Sequence, residues 1–325
     1  MKRVLRASWK SIAMLAVLSV VVYQGFLASV RFEICQIEQQ LGAPTSGADG
    51  ENFLHRGKDN AAPLYAAAAN LQRGQERSRS RRLALAEYRQ DPATVDGYLA
   101  DQKLAFEVLR KATAQGRCDF SHAELRGELD YIGYRSLVMA ACSEMLRLAS
   151  AGQHEEAQAM ARDVLAISGN LSKTPSAIHL MMGVHYAEQV LATVGELEAA
   201  YPNNRYRQLD ADFESLAVQL EKGLVECPAF ERALMMSEFE KNFASLQSGG
   251  LIGSSFDLPS ANAKLEYLKI SRDAQEALKG SDQAQVLEAL GALGYRSETH
   301  RTLAPKWDLM AQRTFGVSRD LKTAF

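Results

Sequence analysis

Apolar residues recur along most of this chain at spacings of three and four, the period of a helix that hides one face. Val138, Ala141, Cys142, Met145, Leu148 and Ala149 form one such stripe, and Ala157, Met160, Ala161, Val164 and Leu165 form another. Between them runs SAGQHEE, long enough only for the turn of an antiparallel helical hairpin. Phe213, Leu216, Ala217, Leu220 and Leu224 make a third stripe, and Met235, Phe239, Phe243 and Leu246 a fourth. Pro228 stands between these two and reads as the first turn of a new helix. In DNAAPLYAAAANLQRG, Asn60 is a good N-cap, Pro63 fits a first helical turn and Gly74 is a stop. The same punctuation predicts helices over residues 76–90, 93–115, 121–151, 153–168, 175–200, 206–226, 228–247, 260–279, 281–294 and 304–323. The fold class expected is all-α, as stacked hairpins or an irregular bundle.

The first 41 residues read differently. SIAMLAVLSVVVYQGFLASV, residues 11–30, has no charged side chain, and the ten residues before it carry Lys2, Arg3, Arg6 and Lys10. Twenty helical residues span roughly 30 Å, the apolar thickness of a bilayer. A cleavable signal would end its apolar stretch in a small-x-small site. In GFLASVRFE, bulky Phe26 and Val30 flank Ala28 at the positions that matter, and FEI before Cys35 lacks the small residue that lipid attachment needs. The segment therefore reads as a transmembrane signal anchor whose helix continues toward residue 41, with a cleaved signal as the alternative. Four basic residues on the near side face Arg31 and Glu33 on the far side, which puts the N-terminus in the cytoplasm and the body outside. Residues 42–59, rich in Gly, Pro, Ser and Asp, read as a linker, and residues 60–325 as an extracytoplasmic helical domain.

LRLASAGQHEEAQAMARDVLAIS resembles the middle of a tetratricopeptide repeat, with Gly152 as the turn glycine and Ala157 and Ala161 at the small positions of the second helix. The resemblance implies closely paired helices stacked on a shared core. The preceding helix lacks the family's Trp, Leu-Gly and Tyr pattern, no proline closes the unit, and Tyr186 stands 34 residues beyond Gly152. An anchor, a short linker and an opening NAAPLY together resemble a broad group of membrane-anchored helical proteins of bacterial envelopes. That likeness implies a location in the cytoplasmic membrane and a helical fold, with no activity attached.

Composition narrows the choice of partner. The chain has 325 residues, 47% of them hydrophobic, enough for a large core. Taking the four N-terminal bases from 37 Lys and Arg leaves 33 against 39 Asp and Glu. A mildly acidic body argues against nucleic acid. RGQERSRSRR, with Arg73, Arg77, Arg79, Arg81 and Arg82, is the basic exception. It reads as a solvated lead-in to the next helix, with contact to an anionic lipid or polymer as the alternative.

Recognisable catalytic spacing is missing. Cys35, Cys118, Cys142 and Cys227 form no C-x-x-C. In an oxidising compartment, Cys118 could pair with Cys142 or Cys227, while burial as small apolar residues is the other reading, favoured for Cys142 by its stripe. His179 and His185 are six apart, about 120° around a helix, so they cannot share a metal as H-E-x-x-H does. One is expected inside with a hydrogen bond and the other outside. Glu155 with Glu156 and Glu238 with Glu240 fall on expected solvated faces. Tyr131 and Tyr134 are expected to pack in the core with hydroxyls at its rim. No G-x-S-x-G or phosphate loop occurs, and no cofactor is implied. SGGLIGSSFDLP places Leu251, Ile252, Phe256 and Leu258 among glycines and serines, a segment expected either to tuck against the body or to cover a partner or ligand. The function expected is a membrane-tethered helical scaffold that engages lipid through residues 11–30 and another envelope or membrane protein through its body. A membrane subunit that assembles through its transmembrane helix, and a ligand-binding or enzymatic helical domain, are the alternatives.

Overall fold

The computed structural model describes residues 2–41, 60–73, 82–115, 118–120, 130–174, 176–202, 206–247, 257–280, 282–293 and 298–324, with residues 2–18, 73, 236–247, 257–260 and 298–306 described as backbone only. All regular structure among the described residues is helical, as the periodicity predicts. The helices are α1 (Lys2–Leu41), α2 (Ala62–Arg73), α3 (Leu85–Gln90), α4 (Pro92–Asp101), α5 (Lys103–Thr113), α6 (Tyr131–Ser150), α7 (His154–Ser172), α8 (Ala177–Ala200), α9 (Asp210–Gln247), α10 (Asp257–Ala277), α11 (Gln283–Leu293) and α12 (Glu298–Lys322), with a 3-10 turn at Tyr206–Leu209.

Hairpin chemistry sets the centre of the fold. α6 ends in a Schellman turn in which Gln153 N donates to Leu148 O at 2.8 Å and Gly152 N to Ala149 O at 3.0 Å. Gly152 has φ +78°, the left-handed backbone that glycine adopts without a Cβ penalty. The chain then folds back, and the predicted stripes of α6 and α7 are wholly buried against each other and their neighbours. Ser176 caps α8 by accepting from His179 N at 3.2 Å, while Glu231 of α9 accepts from Ala177 N at 2.6 Å. Three helices approach closely because small residues line their contacts. A Cβ on Gly183 would stand 2.9 Å from Ser168 O, and one on Gly223 would stand 2.8 Å from Ser172 O. α12 then lies along α8 and α9, and α2 covers α5 and α6.

Two predicted boundaries are corrected. The 93–115 helix breaks at buried Gln102, whose φ −90° and ψ −4° separate α4 from α5 and turn the apolar stripe. Pro228 begins no helix; it lies inside the 38 residues of α9. The proline forfeits one main-chain bond, yet the buried face runs on through Leu220, Leu224, Cys227, Phe230 and Ala233. That continuous burial outweighs the lost bond, so the expected hairpin at this point is one long helix.

α1 is a single 40-residue helix, about 60 Å long and twice the apolar depth of a bilayer. Its stretch Ser19–Leu41, 23 residues with mean hydropathy 1.2, is long and apolar enough to cross a membrane. Val20, Val21, Val22 and Phe26 are exposed. Its C-terminal end does not stand free: Ile34 and Ile37 are buried with Leu265 and Leu268 of α10 in a small core of their own. The linker expected over 42–59 lies outside the described residues.

Candidate functional site

A concavity lies where the α4–α5 pair meets the α6–α7 hairpin. It is a cleft of about 910 Å³. Leu99, Phe106, Leu148 and Met160, all buried, form its floor. Its rim alternates in sign: Lys103, Arg110, Lys111 and Arg147 stand among Asp96, Glu107, Glu144 and Glu156. The break at Gln102 makes this shape possible, since it lets α5 turn away from α4. A cleft with an apolar floor and a neutral, doubly charged rim suits a segment that is itself amphipathic, and gives a polyanion no net attraction.

Several ionisable groups here are engaged. Arg147 holds Glu144 through two bonds of 2.7 Å, and this carboxylate raises the guanidinium pKa further. Asp163, behind the cleft, has its pKa raised by burial, opposed by a 2.6 Å bond from Thr113 Oγ1 and by Arg110 Nε at 3.5 Å. Both its oxygens are thus used to tie α5 to α7. Tyr88 donates to Asp96 at 3.1 Å, and burial pushes the phenol up to about 12. Of its rim acids, Asp96 and Glu144 are thus tied into the helical frame.

A second constellation is closed. Phe120 packs among Tyr65, Tyr134 and His179 with ring centroids 5.9, 5.9 and 5.8 Å away. Asn60 fastens the incoming segment, accepting from both Ala62 N at 3.0 Å and Asp119 N at 2.7 Å. His179 Nδ1 lies 2.7 Å from Thr174 O, and Thr174 Oγ1 accepts from Phe120 N at 3.2 Å. His179 is thus the inside histidine, and His185 is half-exposed beside Glu188. The Tyr134 hydroxyl overturns its expectation: it is buried, as is that of Tyr186, and neither has a hydrogen-bond partner among the described residues. The cause is packing, because Tyr134 points along α6 into the ring cluster. Burial drives both phenols well above their ordinary range.

All four cysteines are free thiols in the structure. Cys142 and Cys227 are wholly buried, as small apolar residues would be, and burial raises the Cys142 thiol to about 11. Cys118, half-buried near Lys173, is pushed up to about 12, mainly by burial. Among the described residues no three His, Cys, Asp or Glu side chains are grouped to hold a metal ion. Of the arginine cluster, Arg82 bonds Glu196 at 2.5 Å, and that carboxylate also accepts from Leu85 N at 2.7 Å, fixing the start of α3 on α8. Arg77, Arg79 and Arg81 lie outside the described residues, as do Leu251, Ile252 and Phe256. Leu258 falls in the first turn of α10, which starts earlier than expected at Asp257. Sequence reading missed the cleft, because its floor draws single residues from four helices. Comparison with protein-family models, with curated proteins and with solved structures gave no match.

Proposed function

We propose that this chain is a single-pass scaffold of the cytoplasmic membrane, with its N-terminus in the cytoplasm, whose helical body offers the α4–α7 cleft to an amphipathic segment of another envelope protein. The observation that carries this reading is the cleft itself, about 910 Å³ with an apolar floor and equal numbers of acidic and basic rim residues. Asp96, Arg110, Glu144 and Arg147 on its rim are held by the frame or by one another, which fixes the shape of the surface it offers. The basic start, the uncharged run and the exposed valines of α1 supply the tether.

A photo-crosslinking residue in place of Glu107, on the full chain in native membranes, tests the reading. It is expected to capture a discrete envelope protein that the same residue at exposed Gln283, on α11, does not capture. Equal capture at both positions, or a body accessible only from the cytoplasm, overturns it. A second reading has its own support: Gly25 and Ser29, four apart on α1, are exposed and would let another transmembrane helix approach closely. Replacing residues 11–30 by an unrelated apolar helix would abolish association on that reading and spare it on the first.

A further inference from the structure

Two opposite sides of α1 carry the same spacing and meet different surroundings. On one side Leu27, Val30, Ile34, Ile37 and Leu41 are spaced three and four. Ile34 and Ile37 of this row make the seam with Leu265 and Leu268 of α10, and Leu27 and Ile37 are each only 3% exposed. About 160° around the helix, Val21, Gly25, Ala28, Phe32, Cys35 and Gln39 follow at spacings of four and three, the a and d positions of a second heptad stripe. All six are exposed, Val21 by 61% and Phe32 by 65%.

Depth and charge decide what covers this face. Lipid accounts for Val21, Gly25 and Ala28, which lie in the uncharged run of residues 11–30. The stripe continues past Arg31, where charge begins, so that Phe32, Cys35 and Gln39 carry it about 10 Å beyond the hydrocarbon. Lipid chains do not reach there, and Phe32 is in step with the stripe on both sides of it. The acids of this stretch are kept off the face. Glu33 and Glu38 flank the seam instead, with Lys269 Nζ 2.8 Å from Glu33 and Lys264 Nζ 2.7 Å from Glu38.

A symmetric pair sets each residue against its own counterpart, so a charged stripe would repel its copy. None of these six positions is charged. One bilayer also gives two copies the same direction and the same depth, which is the parallel, in-register arrangement where a and d residues meet their counterparts. Gly25 and Ala28 then let the backbones close within lipid. Beyond it Phe32 meets Phe32, and Gln39, both donor and acceptor, can bond its counterpart across the axis.

We infer that a second copy of this chain docks on this face, making the protein a parallel homodimer through residues 21–39 of α1 while the opposite seam holds each body. The inference rests on the reading of α1 as an anchor, since the bilayer supplies direction and depth.

Cys35 provides the probe. With axes about 10 Å apart and Cα atoms about 2.3 Å from each axis, facing Cα atoms stand about 5–6 Å apart, within reach of a disulfide. Membranes holding the full chain with Cys118→Ser, in which Cys142 and Cys227 stay buried, are oxidised with copper phenanthroline. A band of twice the chain mass is expected, and it disappears with Cys35→Ser. On that background Ala28→Cys and Gln39→Cys are expected to restore the band, and Phe26→Cys and Gln40→Cys, exposed on other sides of the helix, are not. Equal crosslinking at all four positions is random collision and overturns the inference. An adduct of any other mass puts a different protein on the face and overturns it too. Phe32→Glu, which sets like charges together, is expected to abolish the Ala28→Cys band, and an unchanged band speaks against the pair. Carbonate extraction of the same membranes separates the causes of failure. Monomer retained in the membrane overturns the dimer and leaves the anchor standing, whereas extracted protein removes the anchor and the inference with it.

Discussion

Around Phe120 and around Ile34 the same kind of helical surface is held together in two different ways. At Phe120, rings from three segments and a buried histidine close on one another, and neighbouring backbones come within the reach of a single missing Cβ at Gly183 and Gly223. At Ile34, four side chains make the whole core, and charged pairs on either flank hold the helices in register. The first region draws specificity from close packing, which tolerates little change. The second draws it from spacing and charge, so it can part without disturbing the first.

The largest effect expected from breaking that contrast comes from Phe120→Ala. It removes a fully buried ring contacted on three sides and should cost about 3–5 kcal/mol in denaturant unfolding of the body. Leu268→Ala in the seam should cost about 2 kcal/mol locally, the low end for such a truncation, because so few neighbours surround it. Its signature is faster hydrogen exchange in α10 and at the C-terminal end of α1, with the main unfolding midpoint nearly unchanged. Should the midpoint fall as far as for Phe120→Ala, the two regions form one cooperative unit and the contrast fails.

Acid offers a smaller perturbation, aimed at the side of the main core where α12 is clasped. Glu188 receives Arg313 Nη2 at 2.6 and 2.9 Å and has His185 at 3.5 Å, while Glu221 accepts from Lys322 at 2.7 Å and Ser318 at 2.5 Å. Burial, the largest single influence on each, raises its pKa, but the hydrogen bonds and charges together outweigh it and both lie below the ordinary 4.5. A pKa depressed by folding contributes stability that is whole above the unfolded value and is lost as pH falls through the folded one. Exchange protection of α12 should therefore hold at neutral pH and drop below about pH 4.5, while that of α6 and α7 persists. Both glutamates are partly exposed, so solvent screening keeps the effect small.

How readily each region could be read in the sequence follows from the same contrast. The α6 and α7 stripes and the Gly152 turn are local signals of apolar spacing and backbone freedom, and both are realised. Asn60, expected as the cap, stands one residue ahead of the cap position and accepts from Ala62 N. Pro228 misled because a helix stop is a local signal, whereas the burial of Cys227, Phe230 and Ala233 that overrides it is tertiary. The heptad of Leu27 to Leu41 was hidden in another way: it starts within a run where every face is apolar, so no period stands out. The cleft depends on four helices meeting, and no stretch of sequence contains it.

The finest test of the contrast concerns the flanking charges of the seam. Lys269 has its pKa raised, chiefly by its bond to Glu33, yet both side chains are substantially exposed, and such a pair contributes on the order of 0.5 kcal/mol. Glu33→Lys should weaken the seam by about that much, and adding Lys269→Glu should recover most of it. The pairing itself makes a sharper demand, since Glu33 meets Lys269 whereas Lys264 meets Glu38. A double-mutant cycle on Glu33 with Lys269 should therefore show coupling, and one on Glu33 with Lys264 should show almost none, both read from hydrogen exchange at the C-terminal end of α1. Coupling in the second cycle but not the first would mean that charge does not set the register. Spacing alone would then hold α10 against α1.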